Sequence, residues 1–201
     1  TRRVRDAADP NVFFGTTIVF PNSVAKGEAS GVDVRLEVPR RAGWSGYTSY
    51  AHARVEQFGP ITGGLFLEEE VIEIGPGTAF TPDHDQRHVA AYGVSFDRET
   101  TGTSVTVNGR YESGTPLEVE EDDFDELAAR PGAEHVDFAR GRVKPRHVVD
   151  LAVAQRILRH ARVDVDLRMA VLNLAGDRWA YNFGNPFSGT HFGAGRTVQV
   201  R

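Results

Sequence analysis

The sequence predicts an all-β protein, built as an antiparallel sheet of about seven to eight strands of the transmembrane β-barrel type. Three observations predict this class. Apolar and polar residues alternate with a period of two, short turns alternate with long loops, and the apolar face carries modest side chains with aromatic residues near its ends. Together they favour a sheet that meets lipid on one face and water on the other.

Alternation defines the strands. In residues 28–38, Val32, Val34 and Leu36 alternate with charged residues, which places apolar groups on one face and charges on the other. The same pattern predicts strands over 44–56, 87–96, 103–112, 147–158 and 162–174, and a last strand that begins at 197. One short helix is predicted in "DDFDELAARPG", which offers Asp122 as a cap, acidic residues in the first turn and a Pro131-Gly132 stop.

The connections between these strands alternate in length. "PRRAG", "DRETTG" and "RHAR" are short turns, whereas the segments 57–86, 113–146 and 175–189 run from about fifteen to more than thirty residues. A water-soluble sandwich is not expected to carry its long loops so regularly at one end, and long structureless loops are uncommon. Tilted strands of about 9 to 11 residues span a bilayer, and outer-membrane barrels have short turns at one end and long loops at the other.

The two faces of the predicted strands differ in chemistry. The apolar face has Trp44, Tyr47, Phe96 and Tyr111 near strand ends, as in the aromatic girdles of membrane interfaces. The opposite face is too charged for a dry core and suits a wet lumen or contacts with a plug. The residues predicted to face lipid are Val32, Val34, Leu36, Val105, Val107, Tyr111, Val163, Val165, Leu167 and Met169.

Composition excludes several classes of protein. The net charge of −5 argues against a nucleic-acid binder, which needs a basic face. The absence of cysteine excludes disulfides and thiolate metal sites, and no apolar run is long enough for a transmembrane helix. Apolar residues make up 40% of the chain, too many for a disordered protein. Without a nucleophile motif or a phosphate-loop lysine, we expect no enzyme activity, no catalytic residue and no cofactor.

Two clusters of residues are candidates for metal sites. His84 and His88 are four apart, but four residues of a strand span about 13 Å, so a loop-to-strand junction is favoured and no metal site is predicted. The acidic run from 118 to 126 lacks the glycine and glutamate spacing of a calcium loop. A solvated loop with a helical turn is therefore favoured there.

A basic run is the candidate ligand-binding segment. Cations close together raise the local concentration of anions, so the run could draw anionic ligands or bind lipopolysaccharide phosphates at the outer rim. An ordinary charged rim is the alternative. The residues are Arg140, Arg142, Lys144 and Arg146.

Five segments resemble the C-terminal part of the barrel of TonB-dependent outer-membrane receptors. They occur in the expected order across nearly the whole chain: "FPNSVAKGEASGVDVRLEVP", "GPITGGLFL", "DHDQRH", "YESGTPLE" and "DLRMAVLNLAGDRWAYNFGNPFSGTHFGAGRTVQVR". The ending is the most specific piece. A strand, an N-L-x-x-D-R corner and N-P-F-S-G-T-H-F-G before the last strand form a long combined match.

The resemblance implies a 22-stranded barrel with an N-terminal plug, which takes up scarce ligands with inner-membrane energy relayed through TonB. Residues 1–201 are then expected to be part of one receptor-like barrel domain, with about seven full strands and a possible stub at 1–5, but without the plug and the earlier strands. The implied location is the bacterial outer membrane. The chain alone is not expected to be competent for transport.

The resemblance also implies partners. They are outer-membrane lipid, the missing plug and strands, the TonB complex through that plug, and a small-molecule or oligomeric ligand. Siderophore, cobalamin, glycan and peptide remain open as ligands, and no nucleic acid is expected.

An excerpt of a large barrel is expected to form a curved open sheet with two unpaired edges and an apolar convex face. Ladder pairing between residues 1–38 and 189–201 would instead close a small barrel. The alternative interpretation is a small stand-alone β-barrel, or a secreted β-sandwich, with a binding or structural role. Dependence on detergent separates a membrane barrel from a sandwich.

Overall fold

Antiparallel strands make up most of the computed structural model, which describes residues 22–63, 75–82, 85–117, 124–160, 163–185 and 189–201. The longer strands are β1 (Asn22–Arg41), β2 (Trp44–Gly63), β4 (His88–Arg98), β5 (Thr103–Glu112), β8 (Arg146–His160) and β9 (Val163–Leu172). The shorter ones are β3 (Ala79–Phe80), β6 (Val136–Asp137), β7 (Arg142–Val143), β10 (Ala180–Asn185), β11 (Gly189–Phe192) and β12 (Thr197–Val200). The α-helix α1 (Phe124–Ala128) is short, and no helix of the described ranges has the length and apolarity to cross a bilayer.

One open sheet contains the long strands. Its order is β1-β2-β4-β5-β8-β9-β12, with β3 added to β2 as the eighth strand, and the neighbouring strands are antiparallel. Within the described residues, β1 pairs only with β2 and β12 only with β9, so both edges are unpaired. The predicted open antiparallel sheet is confirmed. The predicted stub at 1–5 lies outside the described residues.

Short turns and long loops lie at opposite ends of this sheet, as predicted. Ala42 and Gly43 join β1 to β2 with φ values of 51° and 89°, the positive pair of a type I′ hairpin turn. Residues 99–102 make a second short connection, and the paired strands β8 and β9 end at His160 and begin at Val163. The long connections are loop A (64–87), loop B (113–145) and loop C (173–196). Loop C was predicted as a connection over 175–189, but it contains the hairpin of β10 and β11.

Register places all the residues predicted to face lipid on one side of the sheet, here called the valine face. Directly paired residues share a face, and one such row runs from Val38 through Gly46, Val94, Val107, Leu151 and Val171 to Val198. Alternation along each strand brings the remaining predicted residues to that face. Leu36 is 62% exposed and Val163 54%, whereas Val105 and Val107 are half-buried. Lipid contact itself stays a prediction.

Tyr47 does not belong to the girdle that was predicted from it. Trp44 and Phe96 pair directly on the valine face with ring centroids 4.8 Å apart. Tyr47 instead pairs with Glu37 and lies on the opposite face, where the Arg35 guanidinium is 5.5 Å from its ring. The prediction was wrong because residues three apart on an uninterrupted strand point to opposite faces.

The two faces exchange their chemistry partway along β1 and β2, which both contain 20 residues rather than the shorter spans predicted. The valine face of β1 is apolar from Val32 to Val38 but carries Lys26 and Glu28 further up. The pairing is continuous from Lys26 with Phe58 to Val38 with Gly46, so no β-bulge causes this change of chemistry. The apolar band on this hairpin therefore ends near Val32, and residues 22–31 project beyond it.

The buried hydrophobic residues of the described chain lie in the loops rather than in the sheet. They come from both loop B and loop C, so these loops share one core, here called the loop cap. Its members are Leu127, Val136, Val143, Ala180 and Phe183, with Leu117, Ala133 and Phe138 packed against them. Leu127 lies on α1, whose predicted position is confirmed, although the predicted cap Asp122 falls outside the described residues.

Replacing Leu127 with alanine is expected to loosen the loop cap and leave the sheet paired. The side chain is fully buried, and core Leu→Ala changes cost about 2 to 5 kcal/mol because a cavity remains. Hydrogen exchange should accelerate in loops B and C and stay unchanged in β5 and β8. Leu36→Ala, on the exposed valine face, is the matched control. Equal acceleration in the sheet would contradict an independent loop core.

Candidate ligand-binding site at the loop end

The candidate site lies where the loops meet the strand ends, and a buried carboxylate organises it. Asp85 in loop A is 1% exposed and accepts hydrogen bonds from Arg87 Nε (2.8 Å) and the Val55 backbone N–H of β2 (3.4 Å). Arg142 of β7 donates to the same carboxylate at 3.4 Å, to the Asp85 carbonyl, and to the Gly114 carbonyl at 3.2 Å. One acid therefore joins loop A, loop B and the wall strand β2.

The surroundings of Asp85 keep it charged. Burial by itself would raise the pKa of this carboxyl. The hydrogen bonds from Arg87 and Val55, the charge of Arg87 and the hydrogen bond from Arg142 act in the other direction, and the pKa lies below its ordinary value of 3.8. The cluster is therefore an ion pair at neutral pH.

A second buried acid fixes the start of β8. Glu112 is 2% exposed and forms ion pairs with Arg110 on its own strand and with Arg146 directly across from it on β8. The Arg146 guanidinium also lies 4.2 Å from the ring centroid of Tyr181 and 5.9 Å from that of Trp179. These contacts tie loop C to the wall, because a cation gains energy over an aromatic face.

The four residues of the predicted basic run have four different surroundings. Arg142 and Arg146 are mostly buried and paired with Asp85 and Glu112. Arg140 is exposed, with Asp137 at 3.7 Å, and Lys144 is exposed and has no carboxylate partner among the described residues. The structure therefore does not bring the run together as one patch of free cations. Its two paired arginines stabilise loop positions.

Asn173 explains the N-L-x-x-D-R corner in structural terms. It is buried in the left-handed region, with φ 53°, and its Nδ2 donates to the carbonyls of Asp177 (2.8 Å) and Ala194 (3.1 Å). Its Oδ1 accepts from Gly176 N–H, and its own N–H donates to Asp150 on β8 at 2.7 Å. Asparagine tolerates this conformation better than most residues. The corner thus fixes both ends of loop C.

A cavity of about 180 Å³ lies between loop B and this corner. Lys144, Arg146, Asp177, Arg178 and Trp179 contribute to its lining. Within the described ranges, Trp179 Nε1 is a buried donor without an acceptor. Sequence reasoning missed Arg178 and Trp179 as site residues. Arg178 belongs to the N-L-x-x-D-R motif, but nothing in the spacing of that motif indicates that Arg178 lines the same cavity as Lys144.

Histidine–tyrosine pairs line the loop-side end of the valine face. Tyr50 Oη and His88 Nδ1 are 2.8 Å apart, and Tyr92 Oη and His147 Nε2 are 3.1 Å apart. The rings of His52 and His88 have centroids 4.7 Å apart. In the part of the chain that the structure describes, no three histidine or acidic side chains are grouped to hold a metal ion.

The other predicted charged clusters lie mostly outside the described residues. His84 and residues 118–123 of the acidic run are among those that are not described. Glu126, on α1, forms an ion pair with Arg130 at 2.6 Å, as expected for two charges four apart on a helix.

Acid is expected to release loop A from loop B. Because the folded pKa of Asp85 is lowered, its contribution to stability is present above the unfolded pKa of about 3.9 and is lost as pH falls through the folded pKa. The ratio of pepsin cleavage rates of Asp85→Asn and the unchanged protein should be above one at pH 5 and approach one as the pH falls below this range. Using the ratio cancels the pH dependence of pepsin. A ratio that stays constant would contradict this role of Asp85.

The comparisons with known proteins show a similarity of fold and no similarity of sequence family. No protein-family profile matches the chain, and no curated protein sequence matches it. Among solved structures, the chain is similar to the closed form of the ferric-catecholate import receptor Fiu from E. coli K12, with a TM-score of 0.56 and 13% sequence identity. The likeness covers 87% of this chain and 20% of the receptor chain.

At this identity the likeness concerns the fold alone. This chain spans about a fifth of the length of that receptor. The chain is therefore distantly similar in fold to the barrel of a TonB-dependent receptor.

Proposed function

We propose that this chain forms part of the wall of a bacterial outer-membrane receptor of the TonB-dependent class, which takes up a scarce ligand. One observation carries the proposal: an open sheet has an exposed apolar valine face, a charged opposite face, and loops folded together at one end only. Outer-membrane barrels need this combination, because lipid surrounds the outside and water fills the inside. The likeness in fold to an import receptor supports it.

The valine face has the banding expected of a membrane surface. Trp44 and Phe96 lie on it near the short turns, and Tyr50 and Tyr111 lie on it towards the loops. Leu36, Val94 and Val107 lie between these aromatic rows, and Val34 lies in the row of Tyr50. Amphipathic rings favour the two interfaces and aliphatic side chains the hydrocarbon between them. The row of His52 and His88, with charged residues above it, marks the loop-side limit of the band.

The opposite face suits the inside of such a barrel. Asp33, Arg35, Asn108 and Arg168 lie on it, where water or a plug would satisfy their polar groups. The loop cap supplies the external binding surface. In this mechanism the chain contributes binding and enclosure and no catalytic step, while gating belongs to a plug that contacts the TonB complex. The ligand is a small molecule or an oligomer such as a siderophore, cobalamin, glycan or peptide.

The two alternatives, a small stand-alone barrel and a secreted sandwich, each require a structural feature of their own. A small barrel needs its edge strands to pair, and β1 and β12 do not pair with each other. A sandwich needs a second layer over the valine face. The described residues supply none, because Val32, Leu36, Ile157 and Val200 are each more than half exposed.

Single cysteines provide the test of membrane position, since the chain has none of its own. Val34→Cys and Leu167→Cys, labelled with a fluorophore in lipid vesicles, are expected to be quenched by brominated lipid tails because they lie in the band. Arg35→Cys, one residue away on the opposite face, should escape quenching. Glu28→Cys, on the valine face but above the band, should escape it too. Equal quenching at Val34 and Arg35 would contradict the proposal.

The receptor role also predicts what the gene encodes around this chain. Upstream sequence is expected to encode a signal peptide, a plug domain and further barrel strands. Sequencing the open reading frame on both sides tests this directly. A start codon just before Thr1 with a stop codon after Arg201 would contradict TonB-gated uptake, because the chain would then have no plug.

A further inference from the structure

We infer that the cavity between loop B and the corner of loop C is a binding site for a phosphate group. The cavity has a volume of about 180 Å³ and lies at the start of β8. The inference goes beyond the receptor role and does not depend on it, because it rests on the charges and donors that line this one cavity.

Two cations without carboxylate partners among the described residues line the cavity. Lys144 comes from the end of loop B and Arg178 from the corner of loop C, and neither forms an ion pair within the part of the chain described. Both side chains are exposed, so solvent screens the repulsion between their positive charges in the free protein. An anion between them would gain a charge-assisted hydrogen bond from each.

Trp179 also lines the cavity. Its Nε1–H is buried beside Gly193 without an acceptor among the described residues, so the ring forms part of the wall and this N–H is not a ligand donor. The indole packs against Gly193, where a side chain would collide with it, and the Gly193 N–H donates to the Trp179 carbonyl at 2.8 Å. The backbone of loop C therefore holds the ring in place before any ligand binds.

The charge of Arg146, which also lines the cavity, is already balanced by an ion pair. Arg146 pairs with the buried Glu112 and lies over Tyr181, so it adds shape and a partly neutralised charge rather than a free cation. Asp177 is the acid in the lining, and its carboxylate opposes anion binding. Lys144 and Arg178 together outweigh this single negative charge.

Phosphate suits this arrangement better than a carboxylate. The two cations come from separate segments of the chain, and a phosphate presents acceptor oxygens in a tetrahedral arrangement that two separate donors can share. A carboxylate has two oxygens in one plane. Guanidinium and ammonium groups also have a strong affinity for phosphate. The same group could arrive on a soluble phosphate compound or on a lipid headgroup at the rim.

The protein carries its own reporter for this site. It contains two tryptophans, Trp44 and Trp179, so Trp44→Phe leaves Trp179 as the sole indole. Inorganic phosphate is titrated into this variant in detergent, with far-UV circular dichroism as the check of folding. Ionic strength is held constant, because screening alone changes surface electrostatics. A saturable change in Trp179 emission is expected, with acetate binding at least about tenfold more weakly.

Variants in this background separate the cavity from general basic charge. Arg178→Gln and Lys144→Gln are each expected to weaken phosphate binding about tenfold (about 1.4 kcal/mol), and Asp177→Asn should strengthen it. A misfolded variant could not show that gain. Arg140→Gln is the matched control, because Arg140 belongs to the same basic run but lies outside the cavity lining.

Three results would overturn the inference. They are a response that does not saturate, equal weakening by Arg140→Gln and Arg178→Gln, or acetate that binds as tightly as phosphate. A parallel titration with short-chain phosphatidylglycerol, below its micelle concentration, identifies the source of the phosphate. Tighter binding than inorganic phosphate would assign a lipid headgroup, and weaker binding would assign a soluble compound. Both results keep the phosphate site.

Discussion

Under the proposed receptor role, a single layer of backbone has to present its two faces to two different solvents, and the rest of the structure depends on this constraint. A soluble domain hides one face of each strand against a second layer. Here both faces of the sheet are largely uncovered, so the period-two alternation sorts side chains by surrounding medium rather than into core and surface. Stability of the wall then comes from ladder hydrogen bonds and cross-strand rows, such as the one from Val38 to Val198.

Because the sheet lacks a dry interior, the loops must fold around their own. Loop B and loop C do so through Leu127, Val143 and Phe183, and they are fastened to the wall by buried charges. Asp85 and Glu112 each accept arginine hydrogen bonds from more than one segment, so desolvation of the acid is offset by several donors. Asn173 performs the same task with neutral groups at the corner of loop C.

Local alternation was enough to predict the strands, the open sheet and the face of each candidate lipid contact, because these features depend only on neighbours along one strand. The upper halves of β1 and β2 were underestimated. The valine face there carries Lys26 and Glu28, so the apolar alternation is lost beyond Val32, and the predicted strands over 28–38 and 44–56 were too short. The prediction that Tyr47 belongs to the aromatic girdle was wrong. It relied on the closeness of Tyr47 to the turn, but Tyr47 is three residues from Trp44 and therefore lies on the opposite face of the strand.

The site was less predictable because it depends on contacts between distant segments. The run from Arg140 to Arg146 was visible as charge, but Asp85 and Glu112, which neutralise two of its members, are far away in sequence. Lys144 and Arg178 likewise line one cavity only because loop B packs on loop C. Only the fold brings those two cations to one cavity.

The strands of the sheet end at different levels on the side where the loops lie. β4 begins at His88, opposite His52, so residues 53–63 of β2 extend beyond it, beside β1, β3 and the part of loop A that contains Asp85 and Arg87. At roughly 3.3 Å per residue, these 11 positions form a ledge of about 36 Å along the strand direction. A large molecule that approached over the side of β4 and β5 would meet the packed loops first. In the proposed receptor, one that approached along β1 and β2 would first meet the charged upper parts of these two strands, so the two sides of the wall would present different surfaces to a ligand.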